Sequence, residues 1–364
     1  MHKTILIFLC LFLTACQTSK TIPEPEKSPH PFDLHQVSYS DLPNWNNDHL
    51  SDAWPAYIRS CQKLKYQPRW QKPCAAAFAM KNPSESAIRK YYKTWFKPYE
   101  VRSGKTKNGL FTGYYEPEIY GSLVKSARFH SPIYKRPGDL VMIEDAGIFK
   151  PNLRGVRLAG RVINGNLKPY YSHADIDNGA LAGNELIWVE DPVDAFFIHV
   201  QGSATVKLDN GEVMRIGYAG TNGHTYTSIG SVLIQQYGMS SKDMSMQTIR
   251  SFLRTHPELM KSILQQNASY VFFTERTGEG PLGDQGVVLT PGRSLAVDPR
   301  YISHGTPVWL NITGIQKMVI AQDKGGAIKG PIRGDLFWGT GDVAGDNAGT
   351  MKASGNYFVL IPVA

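Results

Sequence analysis

The stretch from Thr290 to Gly345 constrains this chain most, because it sets three aspartates among short apolar runs and dense glycine. They stand in Val297-Asp298-Pro299, in Gln322-Asp323-Lys324-Gly325-Gly326 and in Arg333-Gly334-Asp335-Leu336-Phe337-Trp338-Gly339. Apolar runs of four or five residues bounded by Gly and Pro are too short for helices and fit buried strands. Val308 to Ile312, Met318 to Ala321 and Tyr357 to Ile361 are such runs. With tight turns between them, a small β-barrel is expected, each aspartate lying where a strand begins or ends.

Upstream the pattern is mixed. Leu50, Trp54, Tyr57, Ile58, Cys61 and Leu64 recur with helical period. Ser84 is placed to cap a second helix carrying Ile88, Tyr91, Tyr92, Trp95 and Phe96, which Pro98 stops. From Glu116 to Gly238 the pattern is mainly β. Gly155 to Val162 leads into an Asn164-Gly165 turn, and Phe196 to Leu208 reads as a strand before Asp209-Asn210-Gly211 and Glu212 to Tyr218. A short helix is expected over Thr225 to Ile234, with Gly217-Tyr218-Ala219-Gly220 as the turn ahead of it, since that run lacks phosphate-loop or dinucleotide spacing. Ser245 and Pro257 start two more helices. The fold class is mainly β with several α-helices.

A chain of 364 residues is long enough for two domains. Its formal charge of +8 favours an anionic partner, but the basic residues are scattered, which argues against nucleic acid. His173, His199 and His224 stand apart without metal-ligand spacing, so no metal and no cofactor are implied. The N-terminus is more specific: Lys3, the apolar run Ile5 to Leu13, then Thr14-Ala15-Cys16. The run is too short to span a bilayer, and small residues before a cysteine resemble a lipoprotein processing site. Residues 1–16 are expected to be a signal peptide ending at a lipidated Cys16, and 17–35, rich in proline, a flexible tether. Cys61 and Cys74 remain for an oxidising compartment, either as a disulfide or as two buried thiols on neighbouring helices.

Several blocks carry a resemblance. Leu289 to Asp298, Gly305-Thr306-Pro307-Val308-Trp309 and Asp323 through Asp335 resemble the C-terminal three-aspartate domain of the membrane-bound lytic murein transglycosylase A family. Thr112-Gly113-Tyr114-Tyr115-Glu116-Pro117, Phe197 to Ser203, Gly217 to Gly223 and Asn267 to Phe273 are similar to that family's other blocks in the same order. The resemblance implies a discontinuous double-psi β-barrel domain, residues 36–115 plus 240–364. A second, smaller β-barrel domain would be inserted at 116–239, with the active site in the groove between them. Action on peptidoglycan glycan strands is likewise implied, while Gln17 rather than aspartate after Cys16 resembles lipoproteins of the outer membrane that face the periplasm; cell-wall synthesis complexes are candidate partners that the sequence does not identify.

Breaking a glycosidic bond needs a carboxylic acid to protonate the leaving oxygen, and hydrolysis normally needs a second carboxylate. Asp335, next to Leu336-Phe337-Trp338, has surroundings that would raise its pKa, and the resemblance makes it the sole catalytic acid. Asp323 is a supporting acid or a turn cap, and Asp298 before Pro299 reads as structural. Asp342 and Glu116 are outside candidates. Thr112, Tyr114, Tyr115, Gln201 and Trp338 are candidate substrate-binding residues, the three aromatics being alternatively core. His199 is a groove residue or a satisfied interior histidine. Lys324 departs from the small or apolar residue usual there in the family. The resemblance implies cleavage between N-acetylmuramic acid and N-acetylglucosamine without water, leaving a 1,6-anhydro end. The alternatives are a hydrolytic muramidase with two carboxylates and a non-catalytic peptidoglycan-binding lipoprotein.

Overall fold

The computed structural model describes residues 31–153 and 156–363; the leader, Cys16 and most of the tether lie outside them. In chain order, β1 (Asp33–Gln36) precedes three helices, α1 (Trp54–Leu64), α2 (Pro68–Ala79) and α3 (Glu85–Trp95), and then β2 (Phe96–Arg102) and β3 (Gly109–Glu116). The expected cap is present, since Ser84 Oγ accepts the Ala87 N–H. The sequence reading gave no bounds for a helix around Cys74; α2 opens with Pro68 in its first turn and buries Trp70, Cys74 and Ala77 at helical spacing. A disulfide joins α1 to α2 through Cys61 and Cys74, whose Cα atoms are 5.2 Å apart.

The three aspartates belong to the C-terminal part: β13 (Ser294–Ala296), β14 (Pro307–Ile312), β15 (Ile315–Asp323), β16 (Arg333–Thr340) and β17 (Lys352–Pro362). Their sheet runs β1-β2-β17-β14-β15-β13-β16-β3, and β17 also pairs with β3, so six strands close into a ring. Its interior is filled by Phe111, Leu295, Val308, Leu310, Val319, Ala321, Leu336, Tyr357 and Val359. Because side chains alternate along a strand, Trp309, Met318, Ile320, Phe358 and Leu360 point the other way, where α1 to α3 cover them. Truncating the fully buried Trp309 to Ala would cost about 3–5 kcal/mol.

Between β3 and β13 the chain builds a second layer. It contains β4 (Glu118–Ser122), β5 (Ser131–Tyr134), β6 (Val141–Ile143), β7 (Leu158–Ile163), β8 (Asn166–Pro169) and β9 (Glu185–Val189), with the one-turn α4 (His173–Asp175) before β9. It continues with α5 (Pro192–Gln201), β10 (Ser203–Leu208), β11 (Val213–Thr221), α6 (Ile229–Tyr237), α7 (Met246–Thr255), α8 (Pro257–Leu264) and β12 (Val271–Arg276). Six of these strands form the sheet β12-β11-β10-β4-β9-β5, and a bridge between Lys135 and Phe273 draws its two edges together. Strands β6 to β8 form a separate three-stranded sheet. The sequence reading returns to the barrel at residue 240, whereas β12, well beyond it, pairs with β11.

Three local expectations change. Phe196 to Gln201 is helix rather than strand, because Asp191 accepts the Val193 N–H as a cap, Pro192 starts the turn, and Gly202 in the left-handed region (φ 82°) ends it. The helix expected from Thr225 begins at Ile229 after the Ser228 cap and runs to Tyr237. Gly217 to Gly220 is not a turn but part of β11, with a bulge between Tyr218 and Gly220. A helix the sequence reading missed, α9 (Asp342–Thr350), follows β16 and packs on Tyr115 through Ala344 and Ala348.

Candidate active site

Three short strands set the acids. In the central β13, Ala296 pairs with Asp335 of β16 on one side and with Asp323 of β15 on the other. Two strand spacings put the aspartate Cα atoms roughly 10 Å apart. On the far side of β16, Asp335 pairs with Thr112 and Phe337 with Tyr114, so these four side chains share one face of the sheet. That face is opposite Leu336, which is in the barrel interior.

Asp335 is held lightly. Its Oδ1 accepts a 2.6 Å hydrogen bond from Thr112 Oγ1, and it has no ion-pair partner among the described residues. Burial pushes the carboxyl up, the Thr112 bond and the Arg333 charge pull it down, and the balance lies at about 6. Arg333 is nearby but committed elsewhere. Its guanidinium donates to Thr112 Oγ1 (2.9 Å), to the Gly334 carbonyl (2.6 Å) and to the Leu110 carbonyl (3.2 Å). The sequence reading missed Arg333; an arginine two residues from an aspartate on one strand was the available signal.

Asp323 is held firmly. Its Oδ1 accepts the main-chain N–H groups of Asp284 and Lys324, each at 2.9 Å, and its Oδ2 accepts the Tyr114 hydroxyl at 2.9 Å. Burial again pushes the carboxyl up to about 6 against these three donors, which favour its ionised form. The Tyr114 ring packs on Phe337 with centroids 5.3 Å apart, and its burial beside Asp323 raises its own pKa well above the usual value. One face of the sheet thus carries two desolvated carboxyls, Asp335 with a single hydroxyl donor and Asp323 with three donors, one of them Tyr114, and a pair of carboxyls is a set of groups that can act on a glycosidic bond.

Two family models match this chain: the MltA specific insert domain over residues 110–274 and the 3D domain over 293–361. A crystal structure of membrane-bound lytic murein transglycosylase from Agrobacterium tumefaciens superposes with a TM-score of 0.80 at 31% identity, over 91% of this chain and 98% of that one. MltA from Neisseria gonorrhoeae superposes with a TM-score of 0.78 at 31% identity, over 91% and 93%. The chain belongs to the membrane-bound lytic murein transglycosylase A family. The Escherichia coli K12 protein of that name is 33% identical over 267 residues, 70% of this chain and 66% of its own length. A crystal structure of E. coli MltA with bound chitohexaose matches at a TM-score of 0.68 and 25% identity, over 92% and 95%.

In this family member the remaining candidates separate. Gln201, the last residue of α5 rather than a strand residue, accepts the Tyr115 main-chain N–H at 3.1 Å and so ties the inserted part to β3. Tyr115 is buried against α9, and its hydroxyl accepts from Arg250. Trp338 is not beside Asp335. Its indole donates to Met351 Sδ and fills the space over Gly113, which has no Cβ to obstruct it, on the barrel's other face. Glu116 is a junction residue, taking Arg215, Thr205 and Thr340 on one oxygen. Asp298 is ion-paired to Arg300, and Asp342 is exposed at the start of α9. His199 is interior, packed on Tyr270 with centroids 4.1 Å apart. Burial and the neighbouring His173 push its pKa down to about 3, so it is neutral.

Proposed function

We propose that this protein cleaves the β-1,4 bond between N-acetylmuramic acid and N-acetylglucosamine in peptidoglycan without consuming water. The observation that carries this reading is Asp335: a desolvated carboxyl, raised to about 6, with one hydroxyl partner and no counter-ion among the described residues. Such a group retains its proton close to neutrality and can release it to a leaving oxygen. It protonates the glycosidic oxygen, the C1–O4 bond breaks, and the electron pair leaves with the N-acetylglucosamine. The Asp335 carboxylate then takes the proton of the muramyl C6 hydroxyl as O6 bonds to C1, which closes the 1,6-anhydro ring and restores the acid. The intramolecular nucleophile replaces a bound water, so a second carboxylate acting as base is not required. Asp323, whose three donors favour its ionised form against the burial that raises it to about 6, supports as a carboxylate the cationic character that develops at C1.

Thr112 and Tyr114 line the face where the sugar would lie, while Tyr115, Gln201 and Trp338 support the walls of the groove between the barrel and the inserted sheet. We place the division between these two bodies near Glu116 and again after Arg276, where the second sheet's strands end. The ring of six strands is taken to be the double-psi barrel. The relatives' membrane-bound names fit a membrane-associated protein. A lipid on Cys16, an outer-membrane position facing the periplasm and contact with wall-synthesis complexes are the finer parts of the proposal.

The test is the mass spectrum of products from purified glycan strands treated with the full-length protein and with its Asp335→Asn variant. Products one water lighter than hydrolytic ones, absent with the variant, are expected. Reducing-end products would establish a muramidase and direct attention to Asp323 as its second carboxylate. Intact strands with both proteins, despite binding, would leave a wall-binding lipoprotein.

A further inference from the structure

We propose that Lys324 is a positioning residue for this reaction: its ion pair with Asp284 clamps two main-chain N–H donors onto Asp323. The inference rests on the transglycosylase reading above and concerns a cluster that reading does not use.

The geometry is a closed loop of contacts. Asp323 Oδ1 receives the N–H of its own neighbour Lys324 and the N–H of Asp284, 39 residues upstream. The side chains of the same two residues then meet, Lys324 Nζ lying 2.6 Å from Asp284 Oδ1. The Asp284 segment lies flat on β15, where Gln285 donates its N–H to the Gln322 carbonyl at 3.1 Å. Gly283 makes that approach possible, since a Cβ there would sit 2.4 Å from the same carbonyl oxygen. His304 Nδ1 stands 3.6 Å from Asp284 Oδ2, and burial lowers its pKa, so it adds bulk and no second cation near neutrality.

The groups facing Asp323 are therefore Tyr114 from β3, Asp284 and His304 from the loops, and Lys324 from its own segment. The Lys324 N–H and the Tyr114 hydroxyl of β3 would hold Asp323 even without the ion pair, but the Asp284 N–H comes from a loop tied to β15 by the Gln285 main chain, and the ion pair is the side-chain link that fixes it there. The Lys324 and Asp284 side chains are each about 31% exposed, so the pair adds little to global stability. Its role is local: it fixes the angle at which Asp323 meets the Tyr114 hydroxyl, and Tyr114 packs beside Asp335 on Phe337.

Steady-state turnover of purified peptidoglycan to anhydro products by the full-length protein tests this. Lys324→Ala is expected to lower kcat about tenfold with KM within about twofold, the signature of misplacement rather than lost substrate contact. Its acid limb should move to higher pH, because the residue 324 N–H remains but the Asp284 N–H, released with its loop, no longer favours the ionised form of Asp323. Lys324→Arg, which can still reach Asp284, should retain kcat within about twofold. Asp284→Asn keeps the N–H but removes the ion pair and should lower kcat as Lys324→Ala does. The double variant should fall no further than either single one. Equal thermal midpoints exclude misfolding. An unchanged kcat in Lys324→Ala, a rise in KM alone, or multiplicative losses in the double variant would overturn the proposal. A wild-type protein that yields no anhydro product would instead overturn the reading on which it rests.

Discussion

Two aspartates of the same barrel each have an arginine two residues away and end in opposite states. In Asp298-Pro299-Arg300 the chain turns, Asp298 accepts the Arg300 main-chain N–H, and the guanidinium forks onto the carboxylate at 2.6, 2.9 and 3.2 Å. The Gly330 N–H adds a further donor. Burial pushes Asp298 up, but these donors and the Arg300 charge outweigh it and hold the carboxyl below its ordinary range. In Arg333-Gly334-Asp335 the backbone is extended, and the arginine is spent on the carbonyls of Gly334 and Leu110 and on Thr112. Asp335 is left desolvated without a fork and rises to about 6. A barrel can therefore make a carboxyl held below its ordinary range or one raised towards neutrality from the same two residue types. The deciding factor is whether the backbone lets the arginine fold back.

The largest expected effect breaks the contrast on the raised side. Asp335→Asn keeps the shape and the Thr112 contact but removes the transferable proton, and should lower kcat by about 10²–10⁴-fold with KM little changed. Release of anhydro-ended fragments measures it. On the lowered side, Arg300→Ala leaves Asp298, 1% exposed, without its fork and should destabilise the fold by about 2–3 kcal/mol, with activity per folded molecule retained. Urea unfolding measures that loss. If Arg300→Ala reduced turnover at unchanged stability, Asp298 would have to be moved into the chemistry.

The same contrast reaches stability through pH. Asp335 has a folded-state pKa above its unfolded value, so its contribution is fully present below about 4 and is lost as pH rises through about 6. Above that range the ionised, desolvated carboxylate weighs against the fold. Asp335→Asn should consequently be more stable than the wild type at pH 7–8, by about 1–3 kcal/mol, and no more stable at pH 4. Thermal midpoints at the two pH values check it. Asp298 runs the other way: with its pKa depressed, its stabilisation holds at neutral pH and is lost as pH falls through its folded value.

How much of this was legible in the sequence follows the range of the interactions. The strands 307–312, 315–323 and 352–362 were marked by apolar runs, and the helix 85–95 by its serine cap, because each signal is local. Helix α5 was misread because Ala195 to Val200 is apolar but for His199, so periodicity was silent and Asp191-Pro192 and Gly202 were the informative residues. Helix α9 carries two glycines, and packing on Tyr115 rather than propensity holds it. Asp335 stood out through its apolar neighbours, but Trp338, three residues on, faces the other side because a strand alternates. The Asp284–Asp323 contact spans 39 residues and leaves no local mark.

The smallest expected effect sharpens the comparison at a single hydroxyl. Thr112 gives Asp335 its hydrogen bond and accepts one from Arg333, so it stands between the arginine and the acid. That bond favours the ionised carboxylate and lowers the pKa that burial raises. Thr112→Val has nearly the same shape and cannot donate, so Asp335 should keep its proton to higher pH. The alkaline limb of the kcat profile should move upward, while the rate on the acid side of that limb changes by less than about tenfold. Thr112→Ser, which restores the donor, should return the limb to its wild-type position. A limb that stayed in place would show that Arg333, not the threonine hydroxyl, sets the acid. The two aspartates would then differ in how far each arginine stands from its carboxylate and in the main-chain donors that Asp298 alone accepts.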